Sequence, residues 1–368
     1  MKKIGILTFQ STVNYGAQLQ NFSLQEYISN CGKIFETYVI NYNNSTINSV
    51  EKNLYLKEQK NIKDFIKYIK NGKSKRSKWN KFEDFRKKYI NLTDEYNIEN
   101  IDKLEEILDY YIVGSDQVWN LDITGDDYTY FLDFVKNDNK KYSYAASLGK
   151  NSFNFQQENK VHNLLSKFKV IYVREKSAEK YLKSLKIKNV ETVMDPTFLL
   201  SKEEWVNKFK IHFSYEKQKY ILVYMIDNIK TNFKKIKRFA KENNLKIIYI
   251  TSDFMSVSNV KNIRDASPVD FLNYICNAEF VVTGSFHAIC FSLIFNKNFF
   301  YILNKSNGRN SRILDLMELT DINDYNDITE KQSIERINLN YKLINDNLDR
   351  YITKSKNNLK SIIEEWGA

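Results

Sequence analysis

Proline and glycine are scarce in this chain, at 2 and 10 of 368 residues, and cysteine and histidine number three each. The cysteines, Cys31, Cys276 and Cys290, are odd in number and lie in apolar segments without CxxC spacing. That excludes a disulfide framework and predicts reduced core residues of a cytoplasmic protein. The histidines are far apart in sequence and the Asp126-Asp127 pair lacks a D-x-D pattern, so no metal site is expected. No segment approaches the roughly 20 apolar residues of a membrane span. The short apolar run in MKKIGILTF is not followed by a small-residue cleavage site. A soluble chain is expected. The formal net charge of +11 comes with no helix-turn-helix, zinc-finger spacing or RNP-type aromatic string, so no nucleic-acid partner is expected. A basic surface also suits a small anionic substrate or an anionic membrane face.

What is present is a core-forming composition, 42% hydrophobic and 14% aromatic, on a chain longer than one hydrophobic core usually grows. Short apolar runs alternate with helical patterns in both halves. KIGILTF (3–9), FETYVINY (35–42), DYYIVGS (109–115), KYSYAASLG (141–149) and KVIYVRE (169–175) read as strands of a first unit. KYILVYMI (219–226) and LKIIYI (245–250) restart the pattern, and SPVDFLNYICNA (267–278) reads as a helix capped by Ser267 with Pro268 in its first turn. This alternation predicts an α/β protein of two Rossmann-like domains. The expected division is 1–205, carrying a basic helical insertion at about 45–108, then 206–330, then a helical segment at 331–368 that packs back on the first domain. The lysine-rich stretch 57–88 reads either as a solvated helical face or as a peripheral contact with an anionic bilayer.

Ligands of open α/β sheets bind outside the carboxyl ends of the strands, and four polar clusters fall at such ends. They are Asn14, Tyr15 and Gly16 after the first strand; Ser115, Asp116 and Gln117 in GSDQVWN; Arg174 in VREKSAEKYL; and Ser285 and His287 in TGSFHA. Each has a plain alternative. NYGA can be turn chemistry, Asp116 a turn former or cap, Arg174 a surface arginine paired with Glu175, and His287 a structural histidine. Their recurrence at four strand ends favours one site. A histidine at a helix N-terminus sits among unpaired N–H groups that suit anions, and it can deliver a proton near neutral pH.

GILTFQSTVNYGAQLQ, YIVGSDQVWN, YAASLG, VREKSAEKYL, VMDPTFLL and VVTGSFHAICFSLIFNKNFF, in that order, resemble the polysaccharide pyruvyl transferase family over roughly residues 3 to 320. The resemblance implies a GT-B-like architecture with a site in a central cleft between the domains. It further implies transfer of the pyruvyl group of phosphoenolpyruvate onto a sugar as a cyclic ketal; no cofactor is expected, and a lipid-linked oligosaccharide acceptor would go with bilayer contact by the basic stretch. His287 matches the family's active-site histidine and Arg174 an arginine that helps hold the donor, and Asp116 is the expected base. Family members carry an arginine two residues before the histidine, where this chain has Ser285. Arg309 and Arg312, in NGRNSRILDL, are the nearest replacements. A nucleotide-sugar glycosyltransferase and a non-catalytic carbohydrate-binding relative remain alternatives. The enzyme is expected in the cytoplasm, at most at the inner face of the membrane.

Overall fold

A computed structural model describes residues 1–32, 34–56, 72–213, 219–224, 229–251, 256–304, 310–322 and 326–367. The chain forms two compact units. The first comprises 1–54, 84–200 and 349–368, and the second 55–83 and 201–348. This differs from the expected division. The first boundary falls at 200, residues 55–83 group with the second unit, and only the end of the C-terminal segment returns to the first.

In the first unit, β1 (Lys2–Leu7) leads through α1 (Tyr15–Asn30) to β2 (Phe35–Tyr42) and α2 (Ser45–Tyr55). After α3 (Lys73–Tyr89) come β3 (Leu92–Tyr96), β4 (Tyr110–Asp116), the single turn α4 (Leu121–Thr124) and β5 (Lys141–Ala146). Then follow α5 (Phe155–Leu165), β6 (Val170–Val173), α6 (Lys176–Ser184) and β7 (Val190–Thr192). The strands form a seven-stranded sheet in the order β3-β2-β1-β4-β5-β6-β7, and every pairing is parallel. Parallel sheets are covered on both faces, which is why the central strands read as continuous apolar runs. The expected insertion thus contributes edge strand β3, whose sequence LTDEY is too polar to announce a strand. Nor is the basic stretch a solvated helix throughout. In α3, Lys78, Phe82 and Phe85 are buried, while residues 57–71 lie outside the described residues.

The second unit runs α7 (Lys202–Phe209), β8 (Tyr220–Tyr224), α8 (Ile229–Glu242), β9 (Lys246–Ile250), β10 (Lys261–Ile263) and α9 (Pro268–Asn277). It continues with β11 (Phe280–Thr283), α10 (Phe286–Ile294), β12 (Asn298–Tyr301) and α11 (Ser311–Thr320). These strands form a five-stranded parallel sheet, β10-β9-β8-β11-β12. Ser267 caps α9 as the sequence predicts, in a reciprocal capping box with Asp270.

The last helix, α12 (Tyr341–Gly367), carries buried Leu359, Ile362, Ile363 and Trp366 near its end. The Trp366 indole stacks on Tyr110 at 5.3 Å and meets Tyr142 and Phe35 edge-on. These aromatics lie at or near the amino ends of β4, β5 and β2, so α12 seals the end of the sheet away from the carboxyl-end loops. Of the three cysteines, Cys276 and Cys290 are buried but Cys31 is exposed at the end of α1. Among the described residues, no helix is long and apolar enough to cross a membrane. Trp366→Ala should cost about 3–5 kcal/mol of unfolding free energy, measurable by denaturant unfolding.

Candidate active site

The strand order locates the candidate site before any side chain is considered. In the first sheet the order reverses between β1 and β4, and in the second between β8 and β11. At such switch points the loops leave in opposite directions and open a crevice at the carboxyl ends. Within each unit the same device ties the two switch strands to one another. The Thr8 hydroxyl, just past β1, donates to the Ser115 carbonyl on β4 at 2.9 Å. The Thr283 hydroxyl on β11 donates to the Tyr224 carbonyl on β8 at 2.6 Å.

At the first switch point the sequence motifs converge on a buried charge cluster. Arg174, just past β6, donates from Nη1 to the Asp195 carboxylate at 3.0 Å and to the Ser115 hydroxyl at 3.2 Å. Ser115 in turn donates to Asp195 at 3.1 Å. The Asp116 carboxylate lies 3.7 Å from the same guanidinium and that of Glu175 at 4.0 Å. The Arg174 side chain is 1% exposed, Asp195 0% and Asp116 11%. Burial alone would push the guanidinium pKa down, but the three carboxylates raise it above its usual value. Arg174, expected as a clamp on an incoming anion, thus faces carboxylates of its own unit, with Asp116 the more accessible of its partners.

The loop after β5 holds this arrangement in place. The Ser147 N–H donates to the Asp116 carbonyl, and its hydroxyl donates to Glu175 at 2.7 Å. Gly149 has φ +63°, and a Cβ there would stand 2.1 Å from the Gln117 side-chain oxygen, so only glycine fits. Asp116 itself adopts φ +76°, a left-handed conformation that aspartate and asparagine tolerate best. Its carboxylate accepts from the Gln117 N–H at 2.8 Å. Asn14 is the α1 N-cap, accepting from Ala17 N–H; Tyr15 and Gly16 are buried in the first turn.

At the second switch point, Ser285 caps α10, and its own N–H donates to the Thr283 hydroxyl at 3.0 Å. Gly284 lets the chain pass the Ile302 carbonyl, which a Cβ would approach to 3.1 Å. α10 is buried from Phe286 to Leu293, as its all-round apolar sequence predicts, and His287 is held in it at 7% exposure. The His287 ring meets Phe286 edge-on, with centroids 5.4 Å apart, and the guanidinium of Arg312, on α11, lies 5.4 Å from the Phe286 ring. Arg312 therefore does approach the turn where Ser285 replaces the expected arginine. Arg309 lies outside the described residues, which resume at Asn310. The Asn304 N–H donates to the Asn310 side-chain oxygen at 2.9 Å, and the Asn310 amide donates back to the Asn304 carbonyl at 2.7 Å.

The structure thus gathers Ser115, Asp116, Gln117 and Arg174 in one unit and Ser285, His287 and Arg312 in the other. Asp195, the chief partner of Arg174, had not been singled out. Its only signal is the Asp-Pro step, where it also accepts from Thr197 N–H and caps the short turn at Pro196. Among the described residues, no group of three or more His, Cys, Asp or Glu side chains is arranged to hold a metal ion. Removing one partner of a buried ion pair typically costs about 3–5 kcal/mol, so Asp195→Ala should lose that much in denaturant unfolding. Asp116→Asn, which keeps the left-handed turn and leaves Asp195 and Glu175 beside the guanidinium, should lose less than Asp195→Ala.

Comparison with known proteins agrees with the fold and narrows the chemistry. The UDP-GlcNAc 2-epimerase from Neisseria meningitidis, solved bound to UDP-GlcNAc, superposes with a TM-score of 0.50 at 12% identity, covering 100% of this chain and 99% of that one. The UDP-GlcNAc 2-epimerase from Methanocaldococcus jannaschii gives 0.50 at 13% identity, over 97% and 94%. A further UDP-N-acetylglucosamine 2-epimerase structure gives 0.51 at 11%, over 99% and 95%. At such identities the likeness shows the fold alone, two Rossmann-like units of the GT-B kind. No curated protein matches the chain. The family model described as polysaccharide pyruvyl transferase matches residues 14–306, from the α1 cap past His287. The chain therefore belongs to the polysaccharide pyruvyl transferase family and is a transferase.

Proposed function

We propose that this enzyme transfers the pyruvyl group of phosphoenolpyruvate to a sugar of a cell-surface polysaccharide or its precursor, in the cytoplasm and without a metal or cofactor. The observation that carries this reading is His287, fixed at the head of a buried helix at the second switch point, inside the segment matched by the family. Phosphoenolpyruvate carries a carboxylate and a phosphate, and a helix N-terminus with a nearby guanidinium is suited to both. In this reading Arg312 takes the place of the arginine that Ser285 replaces.

The chemistry needs an acid, a base and charge stabilisation. A proton delivered to C3 of the enol develops an oxocarbenium-like centre at C2. One sugar hydroxyl attacks C2 and gives up its proton. The C2–O bond to phosphate then breaks, and a second hydroxyl closes the ketal on C2, giving its proton to the departing phosphate. We assign the acid or phosphate-holding role to His287 and the base role to Asp116. Arg174 acts through Asp116, orienting its carboxylate from within the buried cluster. A nucleotide-sugar reaction would suit the fold equally well, but the family match favours the pyruvyl donor.

Calorimetric titration is expected to show saturable phosphoenolpyruvate binding that weakens in His287→Ala and Arg312→Gln, with no binding of UDP. Binding of UDP alone would replace this reading with a glycosyltransferase. A positioned acid or base contributes about 10²–10⁴-fold, so His287→Ala and Asp116→Asn should each lower turnover by at least about a hundredfold. Activity should persist in EDTA; its loss there would refute the metal-free mechanism.

A further inference from the structure

The first half of α3 carries Lys73, Ser74, Arg76, Ser77 and Lys81, and the second unit fastens this helix beside the carboxyl end of edge strand β10. The Ser77 hydroxyl donates to the Asp265 carboxylate at 2.7 Å. Lys81 bridges Asp265 at 3.5 Å and Asp270 at 3.8 Å. These contacts neutralise the acids beside the helix and leave its basic residues dominant. Two cavities follow. One, of about 470 Å³, is lined by Ser74, Ser256, Asn262, Ile263, Arg264 and Asp265. The other, of about 360 Å³, is lined by Lys73, Arg76, Ser77, Asn80 and Lys81.

The walls are held by their own bonds. The Asn262 amide donates to the Val257 and Val260 carbonyls, and its oxygen accepts from the Val257 N–H. That fixes the turn entering β10. Arg264 donates to the Ser256 hydroxyl, so a guanidinium and a hydroxyl are presented together. Lys73 and Arg76 are exposed and make no ion pair among the described residues. One cavity thus offers an arginine with two hydroxyls, and the other an arginine and two lysines with a hydroxyl; both are donor sets that phosphate oxygens accept.

We propose that these two cavities, adjoining where Asp265 of one bonds Ser77 and Lys81 of the other, form one groove that binds a phosphate or diphosphate group. It lies at the same, carboxyl, end of the sheet as His287, because all strands run parallel. Three strand spacings separate β10 from β11, or about 14 Å. The groove is therefore distinct from the donor position, and it suits an acceptor whose sugar carries its phosphate some distance from the reacting hydroxyls. Assigning the phosphate to the acceptor rests on the function proposed above; the binding site itself does not.

The test is titration of the full-length protein with inorganic pyrophosphate, alongside flotation with phosphatidylcholine vesicles with and without phosphatidylglycerol. Wild type, Arg264→Gln, Arg76→Gln and His287→Ala would be compared, with melting temperatures as the fold control. Loss of a charge-assisted contact should weaken pyrophosphate binding by at least about tenfold in the two arginine variants and leave it unchanged in His287→Ala. That outcome supports a site for a soluble phosphate group. Binding only to phosphatidylglycerol vesicles, weakened by the same variants, supports the site with a lipid headgroup as the source. No binding to either probe, or binding indifferent to both arginines, overturns the proposal. So does pyrophosphate binding that His287→Ala weakens as much. Failure of phosphoenolpyruvate binding with the groove intact would count against the proposed reaction alone.

Discussion

The contact between Arg174 and Asp195 is the one on which the carboxyl end of the first unit's sheet depends. It joins the carboxyl end of β6 to the segment after β7, and through Ser115 and Asp116 it reaches the end of β4. A guanidinium removed from water is costly unless its charge is met at short range. Here the charge is met by several carboxylates rather than one. The cluster consequently holds the Asp116 loop in a left-handed turn that an unsupported chain would visit rarely. Energy stored in that conformation is offset by the surrounding bonds from Ser147 and Gln117.

The second unit solves the same problem without buried charge. Its polar turn is placed by a serine cap, a glycine that passes close to a carbonyl, and a helix that is apolar on every side. A helix buried all round cannot rotate or slide without exposing apolar surface, so His287 at its head inherits that rigidity. Both units lock their switch strands with a threonine hydroxyl on a neighbouring carbonyl. The carboxyl-end turns thus leave from rigid strand ends, while α12 and its tryptophan stabilise the first sheet at the opposite end.

Much of the fold was legible because its signals are local. Continuous apolar runs marked the buried parallel strands, and Ser267-Pro268 marked the start of α9 within a residue. The clusters at 114–117 and 284–287 were legible as site candidates because polar residues interrupt apolar runs there. The role of Arg174 was less legible. Sequence offered Glu175 as its neighbour, but the shortest bond goes to Asp195, 21 residues away. Cys31 read as core from its apolar surroundings, yet it follows the last turn of α1 and is exposed.

What the sequence by itself determined is the α/β class, the positions of the main strands and caps, and the residue types available at each strand end. Periodicity and capping act within a few residues, so these follow from the chain directly. Only the tertiary structure decided the strand orders, and with them the switch points beside which the turns after β1, β4 and β11 lie. It also decided that residues 55–83 belong with the second unit and that β3, though polar, completes the first sheet. Strand pairing and the meeting of buried charges join residues tens of positions apart, and no local pattern encodes which partner will be met.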